Sequence, residues 1–181
     1  MLKQILGYLP VNLANIVISF GTVIILTRLF SGAEFGRYAL AIAAMHFVHM
    51  VLFTWIEAAM YRYYARAKKR GELASHIKTC YVAGAITGLV GLPLLMGFVW
   101  ILPLDNLMKT LLAFGLATTC LTLIYNIGIE AHKAAHRIGR YSAIQSSQSL
   151  FGFSLGIFLI LVTPLREIAP FYGILAGNLL A

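Results

Sequence analysis

The chain has 181 residues, with 14 Lys and Arg against 6 Asp and Glu, a formal net charge of +8, and 60% hydrophobic against 11% charged residues. The charged share is about half that of an ordinary soluble domain. A soluble globule of this size would have too few polar residues to cover its surface, so that class is excluded. The positive balance carries no aromatic interleaving and no RNA-binding signature, which argues against a nucleic-acid partner.

Six intervals run without a charge: Gln4–Thr27, Tyr38–Ile56, Thr79–Leu104, Thr110–Ile129, Tyr141–Leu165 and Ile168–Ala181. The first five last from 19 to 26 residues, and about 20 apolar residues cross a hydrocarbon core. The expectation is an all-α, polytopic helical membrane protein with five complete transmembrane helices and a truncated sixth. The spans are placed at about 9–29, 38–61, 79–102, 108–129, 142–163 and 170–181, in a single transmembrane domain covering 1–181. A sixth helix cut short suggests the amino-terminal part of a longer chain.

The first helix is expected to start near Pro10, an early helical position that proline suits, after a short head lying along the interface. It lacks the small-residue cleavage site and polar flank of a secretory signal, and is read as a retained helix. Ser31–Arg37 turns the chain back, with Gly32 and Gly36 as permissive positions. The second helix runs from Tyr38 past the membrane surface to about Ala67, and Arg70-Gly71 ends it. Pro93 kinks the third, which membranes tolerate when neighbours satisfy the freed carbonyl. Pro103–Asn106 forms an outer turn. The fourth helix leaves the membrane at Glu130, an inner loop Ala131–Arg140 follows, and Pro164 and Pro170 bracket the last outer loop.

With the amino terminus inside, the inner side holds Lys3, Arg62, Arg66, Lys68, Lys69, Arg70, Lys78, Lys133, Arg137 and Arg140. The outer side holds Arg28, Arg37, Lys109 and Arg166. Ten against four is the positive-inside bias and predicts a cytoplasmic amino terminus. The Arg66–Arg70 run is then a topogenic loop facing anionic lipid heads.

Residues three, four and seven apart share a helix face. Asn12, Asn15, Ser19 and Thr22 form one polar stripe; His46, His49, Phe53 and Glu57 form another. Thr119, Thr122 and Asn126 form a third, and Gln145, Ser149, Gly152 and Gly156 a fourth. Such faces either glue helices together by hydrogen bonds or line a hydrated cavity. Glu57 is a cation- or proton-coupling candidate, or an interfacial acid snorkelling near Arg62. His46 and His49 titrate near neutrality when unperturbed, but two histidines without a third ligand make no metal site. Arg28 either snorkels or faces a cavity that takes an anionic substrate. Gly84-x-x-x-Gly88 with Gly91, and Gly152-x-x-x-Gly156, fit close helix approach.

No nucleophile elbow, phosphate-binding loop, HExxH motif or paired acids occur, so no enzymatic activity, metal or cofactor is expected. Cys80 and Cys120 lie at different depths and lack metal-ligand spacing.

Three segments resemble the polysaccharide transporters of the O-antigen flippase type, in the multidrug/oligosaccharidyl-lipid/polysaccharide exporter superfamily. Leu26–Leu40 resembles that family's signature R-L-hydrophobic-x-G-x-x-E-F-G-x-Y, with Arg28, Gly32, Glu34, Phe35, Gly36 and Tyr38 in the run. Glu57–Ala65 is similar to its apolar-then-R-x-Y/F-A pattern, and Arg137–Ile144 to the loop before its fifth helix. The resemblance implies one lobe of a two-lobed transporter in the bacterial inner membrane. Its activity would be flipping an undecaprenyl-pyrophosphate-linked oligosaccharide for polysaccharide biosynthesis. It implies membrane lipid and a lipid-linked glycan as partners, H+ or Na+ as coupling ion, and polysaccharide polymerase machinery nearby. Under it, Arg28 and Arg62 would contact pyrophosphate or glycan, and Asn12, Asn15, Asn126 and Gln145 would bond sugar hydroxyls. Glu57, with His46 and His49, would carry coupling. The alternatives are an ion-coupled multidrug or small-molecule exporter of the same superfamily and a non-transporting membrane scaffold.

Overall fold

The computed structural model describes the backbone of residues 2–180 and side chains from residue 9 onward. Among the described residues seven α-helices follow one another: α1 (Leu2–Leu29), α2 (Gly32–Leu52), α3 (Thr54–Lys69), α4 (Leu73–Ile101), α5 (Asn106–Ala134), α6 (Ile138–Val162) and α7 (Ala169–Leu180), the last preceded by a 3₁₀ turn, Arg166–Ile168. No strand occurs among the described residues. Among the described residues five helices are long and apolar enough to cross a membrane: Leu9–Leu29, Gly32–Leu52, Leu73–Ile101, Asn106–Ala134 and Ile138–Val162. Large apolar side chains point outward along them, with Leu89 79% and Ile101 83% exposed. Patches of that kind are untenable in water and ordinary in lipid. The chain has an all-α, polytopic membrane fold.

Several boundaries differ from those read in the sequence. Pro10 does not open α1 but lies inside it; it lacks the N–H that would bond to Leu6, a loss membrane helices absorb. Lys3 and Ala181, used for orientation and for the last span, lie outside the described side chains. The first turn contracts to Phe30 and Ser31, and Gly32 and Gly36 are helical. Helix α5 continues through the anticipated loop to Ala134, with Lys133 bonded to Glu130 at 2.6 Å. Only residues 135–137 connect it to α6. The expected second helix is divided at Phe53, whose φ of −123° departs from helical values.

The chain forms two compact units, Met1–Ala43 with Ile138–Ala181, and Ala44–Arg137. In the first, α6 packs against α1 and α7. Gly152 and Gly156 of α6 meet Gly173 and Gly177 of α7 so closely that a methyl on Gly173 would strike the Gly152 carbonyl and the Gly156 backbone. This is the small-residue packing anticipated for Gly152 and Gly156. Between α1, α6 and the ends of α2 and α7 lies a largely apolar cavity of about 230 Å³, bordered by Thr22, Tyr38 and Ser149.

Ser31 and Glu34 form a capping box at the start of α2: the Ser31 N–H donates to Glu34 Oε2 at 2.7 Å, and the Glu34 N–H to Ser31 Oγ at 3.4 Å. Such a box satisfies orphan donors reciprocally. The other Glu34 oxygen accepts from Arg166, and Arg37, one turn on, reaches Glu167 Oε1 at 2.5 Å. The two ion pairs tie the α1–α2 turn to the α6–α7 connection. Glu167 is only 3% exposed, so Arg37→Ala strands a buried carboxylate. The expected loss is about 1–3 kcal/mol in unfolding from detergent micelles, with much of it regained when Glu167→Gln is added.

In the second unit α3, α4 and α5 pack on one another around Phe53, Ile56, Met60, Cys80, Leu123 and Ile127. Gly84 faces Leu123 and Ile56; Gly88 faces Cys120 and Phe53. The small residues of α4 let both neighbours approach, and Cys80 and Cys120 are free thiols.

Candidate functional site

The division at Phe53 creates the most distinctive polar arrangement of the second unit. The Phe53 N–H donates to the His49 carbonyl at 2.9 Å, and the Ile56 and Glu57 N–H groups both donate to the Phe53 carbonyl, at 2.9 and 3.3 Å. The helical ladder therefore restarts at this residue. The indole N–H of Trp55 donates to the Leu52 carbonyl at 2.7 Å and caps the end of α2.

The restart has a geometric consequence. Eight residues of continuous α-helix rise about 12 Å and turn through two full turns and part of a third, too far for His49 and Glu57 to touch. With the break they meet, His49 Nε2 lying 2.8 Å from Glu57 Oε1. Asn126, from α5, donates its Nδ2–H to the same carboxylate oxygen at 2.8 Å and lies 3.3 Å from His49 Nε2. The His49 and Glu57 side chains are 14% and 15% exposed. Phe53 stacks obliquely on the His49 ring, centroids 5.7 Å apart. The carboxylate is thus held inside its unit by an imidazole and an amide rather than extended towards Arg62.

A 2.8 Å contact between imidazole nitrogen and carboxylate oxygen needs one proton between them. The other ring nitrogen, His49 Nδ1, is buried and has no hydrogen-bond partner. Paired ionisable residues at or near membrane spans are the ones to weigh as functional.

The remaining residues singled out in the sequence lie elsewhere. His46 is exposed, one turn before His49 on α2, and makes no hydrogen bond to the cluster. Asn12 and Asn15 are exposed on α1 together with Ser19. In hydrocarbon such a face demands a polar cover or water. Arg28 is exposed at the end of α1, and Arg62 is exposed on α3 with its guanidinium 5.9 Å from the Tyr63 ring centre. Gln145 is half-buried on α6, with Oε1 enclosed and without a partner. Three anticipated residues, His49, Glu57 and Asn126, therefore converge within the second unit, where Arg62 and His46 make no hydrogen bond to them; Arg28, Asn12, Asn15 and Gln145 belong to the first unit. Among the described residues no group of three His, Cys, Asp or Glu is placed to hold a metal ion.

Sequence reading missed the Arg37–Glu167 pair, because 130 residues separate the partners. It also missed the bond from Gln148 Nε2 to Asn178 Oδ1, 2.9 Å long between α6 and α7. A polar residue in each of two charge-free spans was the only available signal. No protein-family model, curated protein or solved structure matches the chain.

Proposed function

We propose that this protein is a transporter of the inner bacterial membrane, with a cytoplasmic amino terminus. It moves an undecaprenyl-pyrophosphate-linked oligosaccharide between leaflets, and its conformational cycle is coupled to protons at His49–Glu57–Asn126. The cluster itself carries the reading: a carboxylate enclosed by imidazole and amide, beside an unpaired ring nitrogen. In a scaffold the same hydrogen bonds would serve as helix glue, whereas a coupled transporter needs an ionisable group of this kind.

The resemblance of Leu26–Leu40 to the flippase signature supports the substrate class. In this reading the exposed Asn12 and Asn15 border a hydrated path, and Arg28 and Arg62 are accessible to pyrophosphate. The centring of the cluster on an acid rather than an arginine favours a second reading, an ion-coupled small-molecule exporter of the same superfamily.

Deleting the gene separates the two. A flippase predicts build-up of lipid-linked glycan on the inner leaflet, reversed by the intact protein. Unchanged glycan with raised sensitivity to cationic drugs selects the exporter.

A further inference from the structure

The end of the α3–α4 hairpin carries a second polar site, distinct from the buried cluster. Arg66 and Arg70, one turn apart near the end of α3, line one side of a cavity of about 380 Å³. Ser75, His76 and Thr79, on one face of the first turns of α4, line the other. Gly71 joins the helices with φ of +75°, a left-handed conformation that glycine adopts without steric cost. That tight turn sets the guanidinium-bearing turn of α3 beside the first turn of α4.

The lining is prepared for an anion. Among the described residues Arg66 and Arg70 make no ion pair, and neither does Glu72, which also borders the cavity. Two arginines against one carboxylate leave a formal +1 in the cavity, with Lys68, Lys69 and Lys78 close in sequence. His76 is held by the edge of the Tyr63 ring at 6.4 Å and by the Met60 carbonyl at 3.4 Å. The Thr79 hydroxyl donates back to the Ser75 carbonyl at 2.9 Å.

Basic residues at a helix end would also serve topology and the helix dipole. Neither role calls for serine, threonine and histidine from a second helix around the same space. Guanidinium forks match phosphate oxygens in two-point contacts, and the site opens where a membrane span begins, the depth of lipid phosphates.

We propose that Arg66, Arg70, Ser75 and His76, with Thr79 lining the same space, form a binding site for a phosphate group. The group is either the headgroup of an anionic phospholipid or free phosphate. This site does not depend on the transport reading.

The test uses the full chain purified in an uncharged detergent. It is titrated with dioctanoyl phosphatidylglycerol and separately with inorganic phosphate, and bound species are counted by native mass spectrometry alongside thermal shift. At least one probe should bind, with affinity reduced about tenfold or more in R66Q/R70Q. R66K/R70K keeps the charge and the topogenic signal but loses the forks, and should also bind several-fold more weakly. Lys109→Gln, on α5 outside this hairpin, should bind as wild type does. Saturable binding of phosphatidylglycerol alone assigns the site to lipid; binding of inorganic phosphate assigns it to the soluble ion. Failure of both probes to bind, or undiminished binding in R66K/R70K, overturns the proposal.

Discussion

Replacing Glu57 by Gln should leave the protein folded and remove the response of transport to protons. Glutamine keeps the shape and can still accept from Asn126 Nδ2, which donates to Glu57 Oε1 at 2.8 Å. Stability in detergent should therefore change by no more than about 1 kcal/mol. The cluster nevertheless loses its carboxylate, the group on which the proposed coupling rests. Coupling free energies of ordinary size correspond to roughly 5- to 150-fold changes in an equilibrium, and the gradient-driven accumulation ratio should fall by a factor in that range. Glu57→Leu should behave differently. It strands the His49 ring and the Asn126 amide, each costing about 1–3 kcal/mol, so yield and thermal stability fall along with flux. A loss of flux in both variants with a loss of stability only in the second marks Glu57 as functional. Equal instability in both would reduce the cluster to helix glue.

A methyl group on Gly173 should be among the most damaging small changes in the chain. An added Cβ there meets the Gly152 carbonyl and lies 2.9 Å from Gly156 Cα and N. These are backbone atoms of the facing helix, so no rotamer change relieves the clash and α6 and α7 must move apart. Overpacking of a rigid contact costs about 1–3 kcal/mol, and Gly173→Ala belongs at the upper end. Gly84→Ala is the informative contrast. Its Cβ would lie 2.6 Å from Leu123 Cδ2, the tip of a flexible side chain, so repacking should hold the cost below about 1.5 kcal/mol. Gly97, with nothing within 4 Å, should tolerate alanine and gain a few tenths of a kcal/mol, as exposed helical glycines do. Unfolding in mixed micelles ranks the three. Equal effects at 173 and 97 would mean that α6 and α7 do not pack through their glycines.

Charge-free intervals made the spans legible because lipid leaves so few alternatives: a long apolar run must be helical. Helix ends were harder to read. Pro10 fits a first turn by preference, yet α1 runs through it. His132 and Lys133 are polar, but polar residues extend a helix beyond the apolar core as readily as they leave it. The division at Phe53 had no proline or glycine to announce it. It is visible only as a ladder that restarts, with the Trp55 indole covering the carbonyl that the restart leaves open.

The candidate site was partly legible for the same reason. His49, Glu57 and Asn126 stood out as polar residues in apolar spans, and helical periodicity grouped the first two with His46. Periodicity on a continuous helix cannot bring His49 and Glu57 into contact, and it offers no link to Asn126, 69 residues beyond Glu57. The same limit hid Glu167, whose partner Arg37 belongs to a different turn. Ser31 and Glu34 were read as part of a family signature; their local role is a capping box whose free carboxylate oxygen meets Arg166.

The most direct test of the central claim is transbilayer movement in proteoliposomes containing the full-length protein. An undecaprenyl-pyrophosphate-linked oligosaccharide is placed in one leaflet, and its appearance in the other is followed with an impermeant glycan-modifying reagent. The account predicts movement well above protein-free vesicles, accelerated by an imposed proton gradient in the wild type and indifferent to it in Glu57→Gln. Movement no faster than in empty vesicles, or an equal response to the gradient in both proteins, would contradict it.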